Sequence, residues 1–371
     1  MRVLLVSQWK WHGPARFPKA LKEAGFEVAA VCGKGEWIAN TRYVDKFYLA
    51  PTWEERPFLE FLIVAIESWH PDLILFATDN MVLAGQELRR LVESNQAKLS
   101  SRMVETLRSS TFDPAHEGLL HSKFDLLEAL KERGVRIPAQ RELNTLSDAD
   151  SFVQEHGYPV LLKPDFGFAG SGIMFCHTEE ELLKNLNKVL FGKNRQRYAI
   201  QKYLGNKTAL IEFVAKDGKV LCHQSAQRMH THPGETGPVT VLRTVESTEM
   251  LKAAEAMCDL LRYNGIGVPQ FVVEDDSCES ALLLELNPRM SHFPHVWAKY
   301  GNNFAETLRK GWSGESVVQN PPRLGETIAL WPQEAIRDPE SSYLANADFV
   351  TDDPGLRAIY DGEVARAAQT S

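Results

Sequence analysis

The chain has 371 residues, with 41 Lys and Arg against 49 Asp and Glu, for a net charge of -8. That length exceeds what one hydrophobic core organises, so a globular enzyme of about two or three subdomains is expected. The acidic balance and the absence of a long basic run argue against a general nucleic-acid binder, yet a few local cations and backbone N–H groups can still hold a phosphate-bearing ligand screened by a divalent ion.

Arg2 to Ser7 is a short β-branched and leucine run, Pro14 to Ala24 has helical spacing, and Glu27 to Val31 reads as a second strand. A helix over Pro57 to Trp69 leads through Pro71 into the strand Leu73 to Phe76, which ends at Ala77-Thr78-Asp79-Asn80. This alternation predicts a parallel, Rossmann-like first domain. Ligands of such sheets sit beyond the strand carboxyl ends, so Trp9-Lys10-Trp11-His12-Gly13 and Asp79-Asn80 flank a cleft as candidate substrate contacts. The first turn lacks G-x-G-x-x-G, which argues against a nicotinamide cofactor.

The character changes near residue 112. Asp113-Pro114 marks a border, and an amphipathic helix over His121 to Arg133 stops at Gly134. A second helix, Ser147 to His156, feeds the strand Val160 to Lys163, then Pro164-Asp165-Phe166-Gly167-Phe168-Ala169-Gly170-Ser171-Gly172, then a strand over Ile173 to Cys176. Strand, glycine loop, strand is not a P-loop, which needs a following helix and G-K-[ST]. The glycines suggest a flap over phosphates. Strands follow at Ala199 to Tyr203, Ala209 to Ala215, Lys219 to Ser225, Phe271 to Glu274 and Ala281 to Leu286, around a helix over Thr248 to Tyr263. They predict a mostly antiparallel α+β lobe. Beyond Pro321 periodicity is weak, and Glu363 to Ser371 reads as a frayed end.

Cys32, Cys176, Cys222, Cys258 and Cys278 form no C-x-x-C pair or zinc spacing. Val3 to Val6 is too short for a signal-peptide core, and no apolar run reaches the roughly 18 residues of a membrane span. The expectation is a cytoplasmic protein with reduced thiols and no membrane segment.

The sharpest chemical signal is Leu284-Glu285-Leu286-Asn287-Pro288-Arg289. Period two points Glu285 and Asn287 from one strand face, so their oxygens converge on one ion of the magnesium type, with Arg289 close behind for a phosphoryl or acyl-phosphate group. An Asn-Pro turn beside a surface ion pair explains the hexapeptide equally well when it is taken alone. Gln270, on the preceding strand, can reach the same ion by hairpin pairing. Lys163 closes an apolar strand just before the glycine loop, where its ammonium would meet a cradled phosphate, although a solvated lysine at a strand end is the plainer reading in isolation.

Taken together and in this order, these segments resemble the ATP-grasp superfamily over about residues 113 to 310. The resemblance implies an α/β plus α+β architecture, a Rossmann-like N-terminal domain followed by a two-lobed ATP-grasp module. It divides the chain into a pre-ATP-grasp substrate domain (1–112), a first lobe with the glycine flap (113–203), a second lobe with the metal site (204–320) and a C-terminal extension (321–371). Lys123 and Lys163 match its nucleotide lysines, and Gly167, Gly170 and Gly172 its phosphate flap. Gln201, Lys202 and Leu204 match the hinge that reads adenine, and Gln270, Glu285 and Asn287 its Mg2+ or Mn2+ ligands, a trio similar to that of carbamoyl-phosphate synthetase lobes. Thr208 stands where many members place a ribose-binding carboxylate.

The resemblance further implies ATP-dependent activation of a small-molecule carboxylate as an acyl phosphate and its transfer to an amine, with Arg289, Lys163 and Arg228 as the catalytic cations. Arg228 is assigned to a substrate carboxylate and His230 to a phosphate. Dimerisation fits the family. His230 and His232 fit an exposed turn more simply, and no metal is assigned to them. Ser291, His292 and His295 are candidates for lining the acceptor pocket or accepting a proton from the amine, against a helix capped by Ser291. A biotin-carboxylase-like enzyme would use similar ATP motifs but carries a Glu where Phe293 stands, and a non-catalytic ATP sensor is the third reading, favoured only by Thr208.

Overall fold

The computed structural model describes residues 1–167, 172–192 and 196–370. Its strands fall into three sheets. The first, from β1 (Arg2–Val6), β2 (Glu27–Cys32), β3 (Lys46–Leu49) and β4 (Leu73–Phe76), is parallel, in the order β3-β2-β1-β4. Its interior strands are apolar throughout because helices cover both faces. Leu4 and Val6 bury with Phe58 and Leu62 of α2 (Glu55–Trp69), while Val3 and Leu5 bury with Phe17 and Leu21 of α1 (His12–Glu23). With α3 (Asp79–Glu93) and α4 (Ser101–Arg108), the helices leave only short turns after β1 and β4. Those turns hold Trp9, Trp11 and Asp79 at the carboxyl edge of the sheet.

A short α5 (Glu117–Leu120) precedes α6 (Lys123–Glu132), whose cap Ser122 accepts from the Asp125 N–H at 3.0 Å. The second sheet, β5 (Gln140–Glu142), β6 (Val160–Pro164), β7 (Met174–Cys176) and β8 (Tyr198–Lys202), is antiparallel in the order β5-β8-β6-β7. Val160, Leu162 and Ile200 face α7 (Leu146–His156) and α8 (Glu179–Phe191) through Phe152, Leu182 and Leu186. Leu161 and Lys163 consequently point the other way, into a cleft. β6 pairs with β7, Val160 opposite Cys176, so the glycine stretch connects a hairpin. Gly170, with Phe168, Ala169 and Ser171, lies outside the described residues.

The third sheet is antiparallel and six-stranded: β9 (Thr208–Lys216), β10 (Lys219–Thr231), β11 (Val239–Val245), β12 (Gly265–Val273), β13 (Ala281–Asn287) and β14 (Thr327–Ala329), ordered β13-β12-β9-β10-β11-β14. Along β9, Ala209, Ile211 and Phe213 pack with α9 (Thr248–Leu261), and Leu210 and Val214 share the opposite face with α10 (Phe304–Ser313). β10 runs on to Thr231, past the Ser225 where the sequence ended it, and β11 lies outside the strands read from the sequence.

The C-terminal segment also departs from expectation. β14 extends the large sheet beside β11, and α11 (Gln333–Arg337) and the 17-residue α12 (Pro354–Thr370) follow, so the end is helical instead of frayed. Leu356 and Tyr360 are the anchors, buried with Ala15, Trp331 and Val350. The five cysteines are buried and free. Among the described residues no helix is long and apolar enough to cross a membrane.

Candidate functional site

Period-two alternation sends Thr208 and Leu210 of β9, Arg228 of β10, Gln270 of β12, and Glu285 and Asn287 of β13 toward two adjoining cavities. Gln270 stands opposite Glu285 in the ladder. The register then slips by one residue, so Leu284 is bulged out of β13. A bulge frees a carbonyl from the ladder, and Leu284 O accepts from Lys163 Nζ at 2.6 Å, joining the second sheet to the third.

Each of the three oxygens proposed as metal ligands meets a cation. Lys123 Nζ donates to Glu285 Oε2 at 2.6 Å, Arg228 Nη1 to Gln270 Oε1 at 3.4 Å, and Arg289 Nη2 to Asn287 Oδ1 at 3.3 Å. Burial pulls the Glu285 carboxyl upward, but Lys123, Lys163 and Arg228 outweigh it and hold the group down at about 2, a permanent anion. Burial, opposed by Glu285, pushes the Lys163 ammonium down to about 8. No cluster of three or more His, Cys, Asp or Glu able to hold a metal occurs among the described residues. The donor set here is one carboxylate and two amide oxygens, which suits Mg2+ that keeps waters and bridges to phosphates. The cations already drawn to those oxygens show that the spot favours positive charge.

The first cavity encloses about 980 Å³ of open space between the second and third sheets. Lys123, Lys163, Gly167, Gln201, Lys202, Leu204, Thr208, Arg228, Gln270 and Glu285 all line it. The Lys202 ammonium donates to the Gly157 and Tyr158 carbonyls at 3.2 and 2.9 Å, and the Gln201 amide turns to Gln140 at 3.1 Å. Thr208 Oγ1 accepts from Arg228 at 3.3 Å. Gly172 is not part of that lining. It has φ +82°, and an added Cβ would stand 3.2 Å from Pro164 Cγ, a tight fit beneath the hairpin connection.

The second cavity, about 910 Å³, opens beneath the first sheet and shares Arg228, Gln270 and Glu285 with the first. Trp9, Trp11 and Asp79 enter it from the loops after β1 and β4, with Asn287, Arg289, His292 and Phe293 opposite. Arg289 is held on several sides: its Nε donates to Asp79 Oδ2 at 2.8 Å, its Nη1 to the Met290 carbonyl at 3.2 Å, and its guanidinium lies 5.3 Å from the Trp11 ring centroid. Gly13 makes the approach of the two parts possible. A Cβ there would fall 2.1 Å from the Ser291 carbonyl oxygen.

The histidine expectations need correction. His230 lines neither cavity: a register shift between Arg228 and His230 breaks the alternation, and its ring packs 5.5 Å from Tyr343. His232 needs no correction: beyond the strand it stands in the exposed turn that the sequence favoured, lining neither cavity. His295 faces away from the second cavity, with Nε2 3.1 Å from Asp348 Oδ2. His292 does line it, but burial takes its imidazole down to about 4, and Nε2 sits 3.0 Å from the Val239 carbonyl. Ser291 caps no helix here; its N–H and Oγ both donate to Glu212, at 2.8 and 2.9 Å.

Glu212 was not anticipated. It is fully buried, also accepts from Trp297 Nε1 at 2.6 Å, and is lifted by burial to about 7 against the pull of those hydrogen bonds. A lone acid inside the apolar run Ala209 to Ala215 is the sequence signal that marks it. The cluster of Arg197 with Asp125, Glu142 and Asp165, which ties α6 to the second sheet, was likewise missed because its members are scattered along the chain.

Residues 123–299 match the family described as carbamoyl-phosphate synthase L chain, ATP binding domain. The chain is 29% identical over 285 residues to the carbamoyl phosphate synthase large chain of Thermotoga sp. (strain RQ2), covering 74% of this chain and 25% of that protein. It is 27% identical over 286 residues to the large chain of Saccharolobus islandicus (strain L.S.2.15 / Lassen #1), covering 74% and 26%. It thus spans about a quarter of the length of these relatives. In fold it is similar to the biotin carboxylase domain of Hydrogenobacter thermophilus 2-oxoglutarate carboxylase, solved with MgADP, ADP and bicarbonate (TM-score 0.64, 18% identity, 88% of this chain, 73% of that one). It is also similar to N5-carboxyaminoimidazole synthetase from Staphylococcus aureus complexed with ADP (TM-score 0.61, 14% identity, 86% and 78%).

Proposed function

Residues 123–299 form an ATP-grasp module, and from that premise we propose that the chain is an ATP- and Mg2+-dependent carboxylate-amine ligase. ATP occupies the first cavity, a small-molecule carboxylate the second, and the acyl phosphate made where they meet passes to an amine. The observation that carries this reading is the convergence of Lys123, Lys163, Arg228 and Arg289 on Glu285, Gln270 and Asn287 at the seam of the two cavities. Phosphoryl transfer from ATP to a carboxylate crowds negative oxygens together, and preorganised cations are what lowers its barrier.

In this reading Lys202, Leu204 and Gln201 bound the adenine end, with Thr208 nearby for the ribose. Lys123 and Lys163 serve the phosphates. Gln270, Glu285 and Asn287 would hold Mg2+ or Mn2+, which when bound neutralises phosphate oxygens and orients them. Arg228 faces the carboxylate, and Arg289, fixed by Asp79 and Trp11, faces the developing acyl phosphate. Gly167, Gly170 and Gly172 belong to the flap that excludes water from that intermediate. We read residues 1–112 as a Rossmann-like substrate domain, 113–203 and 204–320 as the two lobes, and 321–371 as an extension docked on the second. A bicarbonate-activating carboxylase is the weaker reading, because Phe293 is 1% exposed and brings no carboxylate to the cavity it borders.

The test is Mg2+-dependent ADP release with pools of carboxylates, using hydroxylamine to trap any acyl phosphate as a hydroxamate. Glu285→Gln and Lys163→Ala are expected to lower the rate by about 100-fold or more with the fold intact by circular dichroism. Undiminished turnover in both variants would sink the assignment.

A further inference from the structure

We propose that the second cavity is built for an apolar monocarboxylate, an aryl- or branched-alkyl acid, and not for bicarbonate or a dicarboxylate. The proposal rests on the ligase reading only for what becomes of the acid after it binds.

Size and lining come first. The open space reaches from Trp9 and Asp79 across to Pro238 and Val268, a wider span of side chains than bicarbonate could touch at once. Trp9 and Trp11 on one side, and Leu210, Val239 and Phe293 on the other, give it apolar walls. Trp9 is 46% exposed and has φ +82°, a left-handed conformation costly for a bulky residue. Its backbone N–H is tied to the buried Glu36 carboxyl, so the loop is braced in a shape that presents an indole at the cavity wall.

The charges then set the valence of the ligand. Arg289 is matched by Asp79 and Glu285 by Lys123, while His292 is neutral near pH 7. That leaves Arg228, whose hydrogen-bond acceptors are the neutral oxygens of Thr208, Gln270 and Gly237. One guanidinium drawn out of water and lacking a bonded anion matches one carboxylate. A second carboxylate would face Asp79 and Glu285 unpaired.

The chemistry balances as follows. A carboxylate oxygen bonds to the γ-phosphorus as the bond to the bridging oxygen breaks and ADP leaves with its electron pair. Hydroxylamine nitrogen then bonds to the acyl carbon, phosphate leaves with the C–O pair, and the amine proton passes to solvent.

The experiment titrates the full chain with 3-phenylpropionate, 4-methylpentanoate, acetate, succinate and bicarbonate by calorimetry, with Mg2+ and a non-hydrolysable ATP analogue present, and assays hydroxamate and ADP in parallel with ATP. The apolar acids are expected to bind at least about tenfold tighter than the other three, and Trp9→Ala to weaken them by roughly tenfold, with Trp9→Phe restoring most of the loss. Tighter binding of bicarbonate or succinate, no binding of either apolar acid, or an unchanged affinity in Trp9→Ala overturns the proposal. Binding of apolar acids without hydroxamate upholds the cavity assignment and removes the ligase reading. ADP release with bicarbonate alone overturns the proposal and favours the bicarbonate-activating carboxylase over the ligase.

Discussion

Glu285 works as a hub because it stays charged while buried. Lys123, Lys163 and Arg228 surround it, and the carboxyl at about 2 keeps its negative charge at any pH the protein would meet. Glu212 is the contrasting acid, lifted by burial to about 7 and held by three donors from Ser291 and Trp297. Those bonds fix the chain just after Arg289, so Glu212 positions the site without lining either cavity. Glu212→Gln places an N–H against one of those donors and leaves a buried polar group unsatisfied. It is expected to cost about 1–3 kcal/mol, read as a lower urea midpoint at unchanged slope.

Among the elements, the helix α1 and the turn before it matter most for the site. Gly13 lets that helix start against the Ser291 carbonyl, which brings Trp11 beside Arg289 and His292. Gly13→Ala is expected to push the first sheet away, raising the KM for the carboxylate by about tenfold while the KM for ATP holds, because the first cavity lies between the other two sheets. Steady-state kinetics with each substrate varied in turn reads this split. Much of this layout was legible beforehand. Short apolar runs gave β1, β4, β6 and β13, and period two put Glu285 and Asn287 on one face. The extent of β10 and the presence of β11 were not, since the cavity end of β10 is largely polar and turn formers stand between the two strands. The Leu284 bulge and the Gly13 approach are long-range features, fixed by partners distant in sequence, and no local pattern announces them.

Across the whole molecule, the C-terminal segment seals the junction of the first and third sheets. Asp348 is buried between Arg16 of α1, at 2.9 Å, and His295, at 3.1 Å. His12, His292 and His295 lie at the same junction. Burial takes His292 and His295 down to about 4, and His12 well below its ordinary value, with Arg16 adding to the effect at His12 and His295. A base with a depressed folded pKa contributes stability above its unfolded value of about 6.5 and loses it as pH falls toward the folded one. Unfolding free energy from urea melts is therefore expected to drop by on the order of 5 kcal/mol between about pH 7 and 4.5 from His292 and His295 alone. His295→Gln would flatten that slope.

The wall between the two cavities has a thermodynamic consequence. Arg228, Gln270 and Glu285 belong to both, so whatever nucleotide does to their positions alters the binding of acid, and by linkage the acid must alter the binding of nucleotide by the same factor. A matched change in the two dissociation constants, measured with and without the other ligand, is the expected outcome. Arg228→Lys, which keeps the charge but loses the fork that spans Thr208, Gln270 and Gly237, is expected to erase most of that reciprocity before it erases either affinity.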